Sequence, residues 1–118
     1  MKTLLLSAAL LLAVPIAASA HAFLREAVPA VGSTVRGAPQ NLILRYTEGV
    51  EPAFTTVTVT NAAGAHFEAA APHRSPDDPR QLTVPLKPLT PGTYTVTWHA
   101  TSVDTHKTEG HFNFTVAP

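Results

Sequence analysis

Tyr94-Thr95-Val96-Thr97-Trp98-His99 is the stretch that decides the fold of this chain. Its apolar and aromatic side chains alternate with threonine and histidine, which is the period of a β-strand that buries one face. Four further segments repeat this period, and weaker strands are predicted near residues 21–27 and 66–69. The four segments are residues 42–46, 56–60, 82–86 and 112–116.

Prolines and glycines separate these segments. Pro52, Gly64 and Pro91, among others, fall between predicted strands, and no convincing helical period occurs. Short strands with regular turns indicate an all-β domain, either an antiparallel sandwich or a small Greek-key barrel of about seven strands. Pro85 interrupts one strand, which we therefore predict to lie at a sheet edge, and residues 70–80 are predicted to form an exposed loop.

The first 20 residues are typical of a secretory signal peptide. Lys2 supplies a positive start, residues 4–16 are almost wholly apolar, and Ala18-Ser19-Ala20 is a small-x-small cleavage signature. The apolar run is shorter than the roughly 20 residues that span a membrane. We therefore expect residues 1–20 to be removed after export by the Sec route, leaving one domain at 21–118 that is not itself membrane-spanning.

The mature chain offers a restricted set of metal ligands. Losing Lys2 from a chain with eight Lys or Arg and eight Asp or Glu leaves a formal charge of −1. There is no basic patch, so no nucleic acid is expected as a partner. The chain has no cysteine, and Met1 leaves with the signal peptide, so the mature protein has no sulfur ligand. Nitrogen and oxygen donors favour borderline metals and argue against a Cu(I) site.

Two places in the sequence could hold such a metal. Cleavage after Ala20 makes His21 the first residue, and its α-amine and ring Nδ1 close a six-membered chelate ring on one ion. Asp104 and His106 stand two positions apart, so both side chains point to the same face if that stretch is extended. If the two places meet, two imidazoles, an amine and a carboxylate form a set that suits the tetragonal preference of Cu(II).

The residues alone leave alternatives open. Zn(II) accepts the same nitrogen and oxygen ligands. Asp104 and His106 could also be polar residues of an exposed hairpin loop that binds no metal, and His21 could lie at the terminus only through processing.

The other histidines are weaker candidates for metal ligands. His66 and His73 fall in polar loops and are predicted to be solvated. If a hairpin turn is centred on Thr105, His99 and His111 face each other on the outward side of the sheet. They are then either two exposed imidazoles or a weak auxiliary metal site.

The mature sequence resembles the CopC family of periplasmic copper-binding proteins over essentially its whole length. The resemblance rests on four stretches that are specific in combination. They are His21-Ala22-Phe23-Leu24 followed by Pro29-Ala30 and Gly32, then Leu44-Arg45-Tyr46-Thr47-Glu48, then residues 91–98, and finally Ser102-Val103-Asp104-Thr105-His106 followed by Gly110 and residues 112–116.

The resemblance implies an Ig-like or Greek-key β-sandwich with a tight Cu(II) site. By matching position, the ligands would be His21, Asp104 and His106. Glu48 would be a weak axial ligand or an acceptor that orients an imidazole, and Glu51 is the less favoured choice. Some members of the family add a methionine-rich Cu(I) site, but the corresponding segment here has no methionine, so that site is not expected.

The resemblance also implies a periplasmic carrier or sequestering protein for copper resistance or homeostasis, with a CopD-type inner-membrane protein as its partner. Two other classes stay open. A terminal histidine with a second histidine also resembles the histidine brace of copper oxygenases, but Asp104 would fill an equatorial position there. A metal-free Ig-like structural domain fits the strands but has no need of His21 at the cleavage point. The sequence therefore predicts a copper-binding protein that is not an enzyme.

Overall fold

The computed structural model describes residues 22–118, whose regular elements are eight β-strands and one short 3₁₀ turn. Residues 1–20, predicted to be the signal peptide, and His21 lie outside the described residues. Within residues 22–118 no helix has the length and apolar character needed to cross a membrane. The strands of this part are β1 Leu24–Val28, β2 Thr34–Val35, β3 Asn41–Tyr46, β4 Thr56–Asn61, β5 His73–Arg74, β6 Gln81–Pro85, β7 Gly92–Thr101 and β8 Lys107–Val116, with a 3₁₀ turn at Pro52–Phe54.

These strands form two four-stranded sheets, ordered β1-β3-β6-β5 and β2-β8-β7-β4 in the described part of the chain. Neighbouring strands run antiparallel, except that β2 runs parallel to β8. The sheets share one hydrophobic core, in which the ring of Tyr46 from β3 meets Trp98 from β7 edge-on, with 5.3 Å between centroids. The predicted all-β sandwich is therefore confirmed.

Period-two alternation decides which side chains fill the core. Along β7, Tyr94, Val96 and Trp98 are buried, whereas Thr97 between them is half-buried and His99 is exposed. Burying an apolar side chain of this size contributes about 1.5–3 kcal/mol relative to leaving it in water. The stretch that predicted the fold is thus also the centre of the core.

The strand count differs from the prediction at the short elements. β2 and β5 are each two residues long, too short to produce a period in the sequence, and β5 lies within the segment predicted to be an exposed loop. Residues 66–69, predicted to be a strand, form only isolated bridges, one from His66 to Thr60 and one from Glu68 to Leu86.

The predicted edge position of β6 is wrong, because β5 flanks it on the side away from β3. Pro85 is nevertheless compatible with this position. β5 pairs only with Leu82 and Thr83, so Pro85 lies beyond it and ends β6.

The long β7–β8 hairpin has a different register from the predicted one. A turn centred on Thr105 places His99 opposite His111, but His99 pairs with Glu109 instead. The predicted cross-strand pair of histidines is therefore wrong, because the turn is centred on Asp104. The shift is two residues along β8, so each side chain keeps its face, and both imidazoles remain exposed on the outer face.

Candidate metal centre

The turn that joins β7 to β8 carries the predicted Asp-x-His motif. It is closed by two backbone hydrogen bonds, from Ser102 N–H to the His106 carbonyl at 2.9 Å and from Thr105 N–H to the Ser102 carbonyl at 2.9 Å. Thr105 has a φ of 74°, in the left-handed region that β-branched residues rarely adopt. This tight conformation brings Asp104 and His106 together at the tip of the hairpin.

Asp104 and His106 lie in direct contact. Oδ1 of Asp104 is 3.3 Å from Nδ1 of His106, and both side chains are open to solvent. Two ligand atoms at about 2.0–2.2 Å from one metal ion are separated by roughly 2.9–3.5 Å in right-angle or tetrahedral geometry. The carboxylate oxygen and the ring nitrogen are therefore already spaced as neighbouring ligands of one ion.

Ser102 holds this pair in place, although the sequence analysis assigned it no role. Its side chain is fully buried, and its hydroxyl donates to Oδ1 of Asp104 and accepts from the His106 N–H at 3.2 Å. The hydrogen bond from Ser102, reinforced by the His106 imidazole, holds the pKa of Asp104 below its ordinary value. The signal that could have identified Ser102 is its position two residues before an aspartate, where hydroxyls commonly form local hydrogen bonds.

The start of the described chain is fastened to the same hairpin. Ala22 is fully buried, and its carbonyl accepts a hydrogen bond of 2.5 Å from Oγ1 of Thr108 on β8. Phe23 is fixed on the other side, where its N–H donates to Oγ1 of Thr47 at 3.0 Å and its carbonyl accepts from the Thr47 N–H at 2.8 Å. The residue that follows His21 is therefore held against β8, two positions beyond His106.

Glu48 lies in a loop that docks on the hairpin turn. The Val103 N–H donates to the Gly49 carbonyl at 3.0 Å, and Val50 forms a bridge with Ser102. Glu48 itself is half-buried. The loop thus brings Glu48 to the neighbourhood of the turn through backbone contacts of the residues that follow it.

Glu51, the less favoured candidate, has another neighbour. Its carboxylate lies 4.0 Å from the guanidinium of Arg74. His66 also has a carboxylate neighbour, since its Nδ1 lies 2.7 Å from Oε1 of Glu68, at hydrogen-bond distance. His73 lies on β5 in the sheet opposite the hairpin and is exposed.

Asp104 and His106 form a two-ligand pair and not a complete site. Among residues 22–118, no three His, Cys, Asp or Glu side chains come together as a group able to hold a metal ion. Glu48 is therefore not gathered with the pair in this structure, and His21 lies outside the described residues. The donors present, an imidazole nitrogen and a carboxylate oxygen, fit a borderline divalent metal.

Comparison with known proteins identifies the family. The CopC domain matches residues 24–117. Protein YobA of Escherichia coli K12 is 44% identical over 98 residues, which are 82% of this chain and 79% of the relative. Copper resistance protein C of Escherichia coli is 34% identical over 119 residues, with 95% of this chain and 94% of the relative covered. The crystal structure of CopC from Methylosinus trichosporium OB3b matches with a TM-score of 0.78 at 34% identity and covers 83% of this chain and 95% of that chain.

The family match extends over all of the described strands, from β1 to β8. Sequence identity and fold agree over the same part of the chain. The chain therefore belongs to the CopC family.

Proposed function

We propose that this chain is exported, loses residues 1–20, and binds Cu(II) through His21, Asp104 and His106 as a periplasmic carrier or sequestering protein. The observation that carries the proposal is the 3.3 Å contact between Asp104 and His106 at the hairpin tip. A second observation supports it, because Thr108 on β8, two residues after His106, donates a hydrogen bond to Ala22, the residue next to His21.

The proposed ligand set has the chemistry that Cu(II) prefers. The terminal amine and Nδ1 of His21 chelate the ion, His106 adds a second imidazole, and Asp104 adds an oxygen. Three nitrogens and one oxygen suit the tetragonal geometry of Cu(II), which also heads the divalent affinity order. Because the chain has no cysteine and its methionine is Met1, the mature form offers no soft ligand for Cu(I).

In this proposal Glu48 has a secondary role. Its loop is bonded to the hairpin turn, so its carboxylate acts as a weak axial ligand or as an acceptor that orients an imidazole without touching the ion. Replacing Glu48 with glutamine should therefore change Cu(II) affinity much less than replacing His106 with alanine.

The proposed carboxylate ligand supports a role as a carrier and not as a redox enzyme. The hydrogen bond from Ser102 lowers the pKa of Asp104 and so favours its carboxylate form. In the proposed site this carboxylate would take an equatorial position that oxygen or peroxide would otherwise need. The relatives named copper resistance protein C support a part in copper resistance or homeostasis. A CopD-type inner-membrane protein is the proposed recipient of the copper.

The free amine of His21 provides the test. Cu(II) should be titrated into residues 21–118 and into a matched form that begins at Ala20, with binding followed by quenching of the only tryptophan, Trp98. The longer form turns the amine into an amide and should bind at least tenfold more weakly. Equal affinity of the two forms would remove the amine from the site. Neither form should turn over ascorbate or peroxide, and sustained turnover would favour the oxygenase alternative.

A further inference from the structure

The outer face of the β7–β8 hairpin carries a second group of potential metal ligands. His99 on β7 pairs directly with Glu109 on β8, and His111 follows Glu109 by two residues on the same strand. All three side chains are exposed, whereas the alternate residues Trp98 and Phe112 are buried beneath them. The two-residue shift in register is what brings a carboxylate, and not a second histidine, directly opposite His99.

His99 and Glu109 already stand at ligand spacing. Nε2 of His99 lies 3.0 Å from Oε2 of Glu109. This separation falls within the roughly 2.9–3.5 Å expected between neighbouring ligands of one ion at 2.0–2.2 Å. A divalent cation between the two side chains would bind the lone pair of a deprotonated imidazole nitrogen and an oxygen of the carboxylate.

His111 lies within reach of this pair. An open concavity of about 570 Å³ is lined by Thr97, His99, Glu109, Gly110 and His111. Diagonal neighbours on adjacent antiparallel strands have Cα atoms roughly 7–8 Å apart, a distance that two imidazoles can bridge through one ion. The three side chains do not yet converge, as no such group does in residues 22–118. His111 is exposed, so it can change rotamer on a picosecond to nanosecond scale.

We propose that His99, Glu109 and His111 form a second, weaker site for a borderline divalent metal, Zn(II) or Cu(II), on the outer face of the sheet. The site does not depend on His21 or on the proposed function of the hairpin tip. Glu109 follows His106 by three residues, about 10 Å along the strand, so the two sites bind separate ions. The ordering of His111 on binding makes this site the weaker of the two.

The proposal is tested by titrating residues 21–118 with Zn(II) and monitoring the imidazole resonances in NMR spectra. The resonances of His99 and His111 should shift together with one dissociation constant. His99→Gln should weaken the Zn(II) response of His111 at least tenfold, and Glu109→Gln should weaken the responses of both histidines. The matched control is His73→Gln, the same substitution at an exposed histidine on the other sheet, which should leave both responses unchanged.

Several results would overturn the second site. Separate dissociation constants for His99 and His111 would mean that they share no ion. An equal response at His73 would mean nonspecific binding to exposed imidazoles. The amide spectrum of each variant checks the fold, and the response of His106 in the same titration reports on the hairpin tip independently.

Discussion

Replacing Thr108 with valine should weaken Cu(II) binding although Thr108 is not a proposed ligand. The Thr108 hydroxyl donates to the carbonyl of Ala22 at 2.5 Å, and Ala22 is fully buried. Valine keeps the size and branching of threonine but leaves this carbonyl without its donor. The substitution therefore loosens the residue that follows His21 while leaving every proposed ligand in the chain.

The expected magnitude follows from this hydrogen bond. A buried acceptor that loses its donor costs about 1–3 kcal/mol. The hydrogen bonds between Phe23 and Thr47 remain, so the segment around Ala22 stays attached to the domain. What the substitution weakens is the fixed orientation of this segment beside β8. If about 1.4 kcal/mol of the loss must be recovered to bring the terminus back to the hairpin, the dissociation constant for Cu(II) rises about tenfold.

Competition with a chelator of known copper affinity measures this effect on residues 21–118. The matched control is Thr115→Val, since Oγ1 of Thr115 pairs with Oγ1 of Thr93 at 3.1 Å near the other end of the same strand. Thr115→Val should bind Cu(II) as the unmodified chain does. If Thr108→Val also binds with unchanged affinity, or if both variants weaken equally, Ala22 does not position the site and the reasoning is refuted.

Four other perturbations test the ligands, the competition by protons, the stability linked to metal and the packing beneath the hairpin. His106→Ala should weaken Cu(II) binding about a hundredfold or more, and Asp104→Ala by less, because water can replace a carboxylate oxygen. EPR spectra should lose nitrogen coupling only in the His106 variant. Equal effects of the two substitutions would contradict the ligand assignment. Cu(II) affinity should fall from about pH 6 to pH 5 as protons compete with the metal for imidazole nitrogens. Asp104, whose pKa is lowered by the hydroxyl hydrogen bond it accepts, stays a carboxylate over this range, and a flat profile would indicate carboxylate-dominated binding. A thousandfold excess of Cu(II) over Kd should add about 4 kcal/mol to the free energy of unfolding. Calorimetry should find a smaller rise in melting temperature with Zn(II) than with Cu(II), and an equal rise would count against a preference for copper. Gly110→Ala would place a Cβ 2.6 Å from Cζ2 of Trp98, so it should lower the free energy of unfolding by about 1–3 kcal/mol and change the tryptophan emission. If neither the stability nor the emission changes, the core tolerates the methyl group.

The sequence by itself determined the fold class and the kinds of ligand. Alternation with period two is a local property, so residues 94–99 identify both a strand and its buried face without knowledge of its neighbours. The same locality explains why a two-residue error in register left the outward faces of His99 and His111 correct. The absence of cysteine excluded thiolate ligands, and the Asp104-x-His106 spacing, read with the family resemblance, identified the candidate pair.

The tertiary structure alone decided what supports and surrounds that pair. The hydrogen bond from Thr108 to Ala22 joins residues 86 positions apart, and no local pattern predicts such a contact. The partner of His99 depends on where the hairpin turn is centred, and the turn depends on a positive φ at Thr105 that its residue type does not signal. Periodicity predicts which face a side chain takes, but the partner it meets there is set by chain closure and by contacts between distant segments.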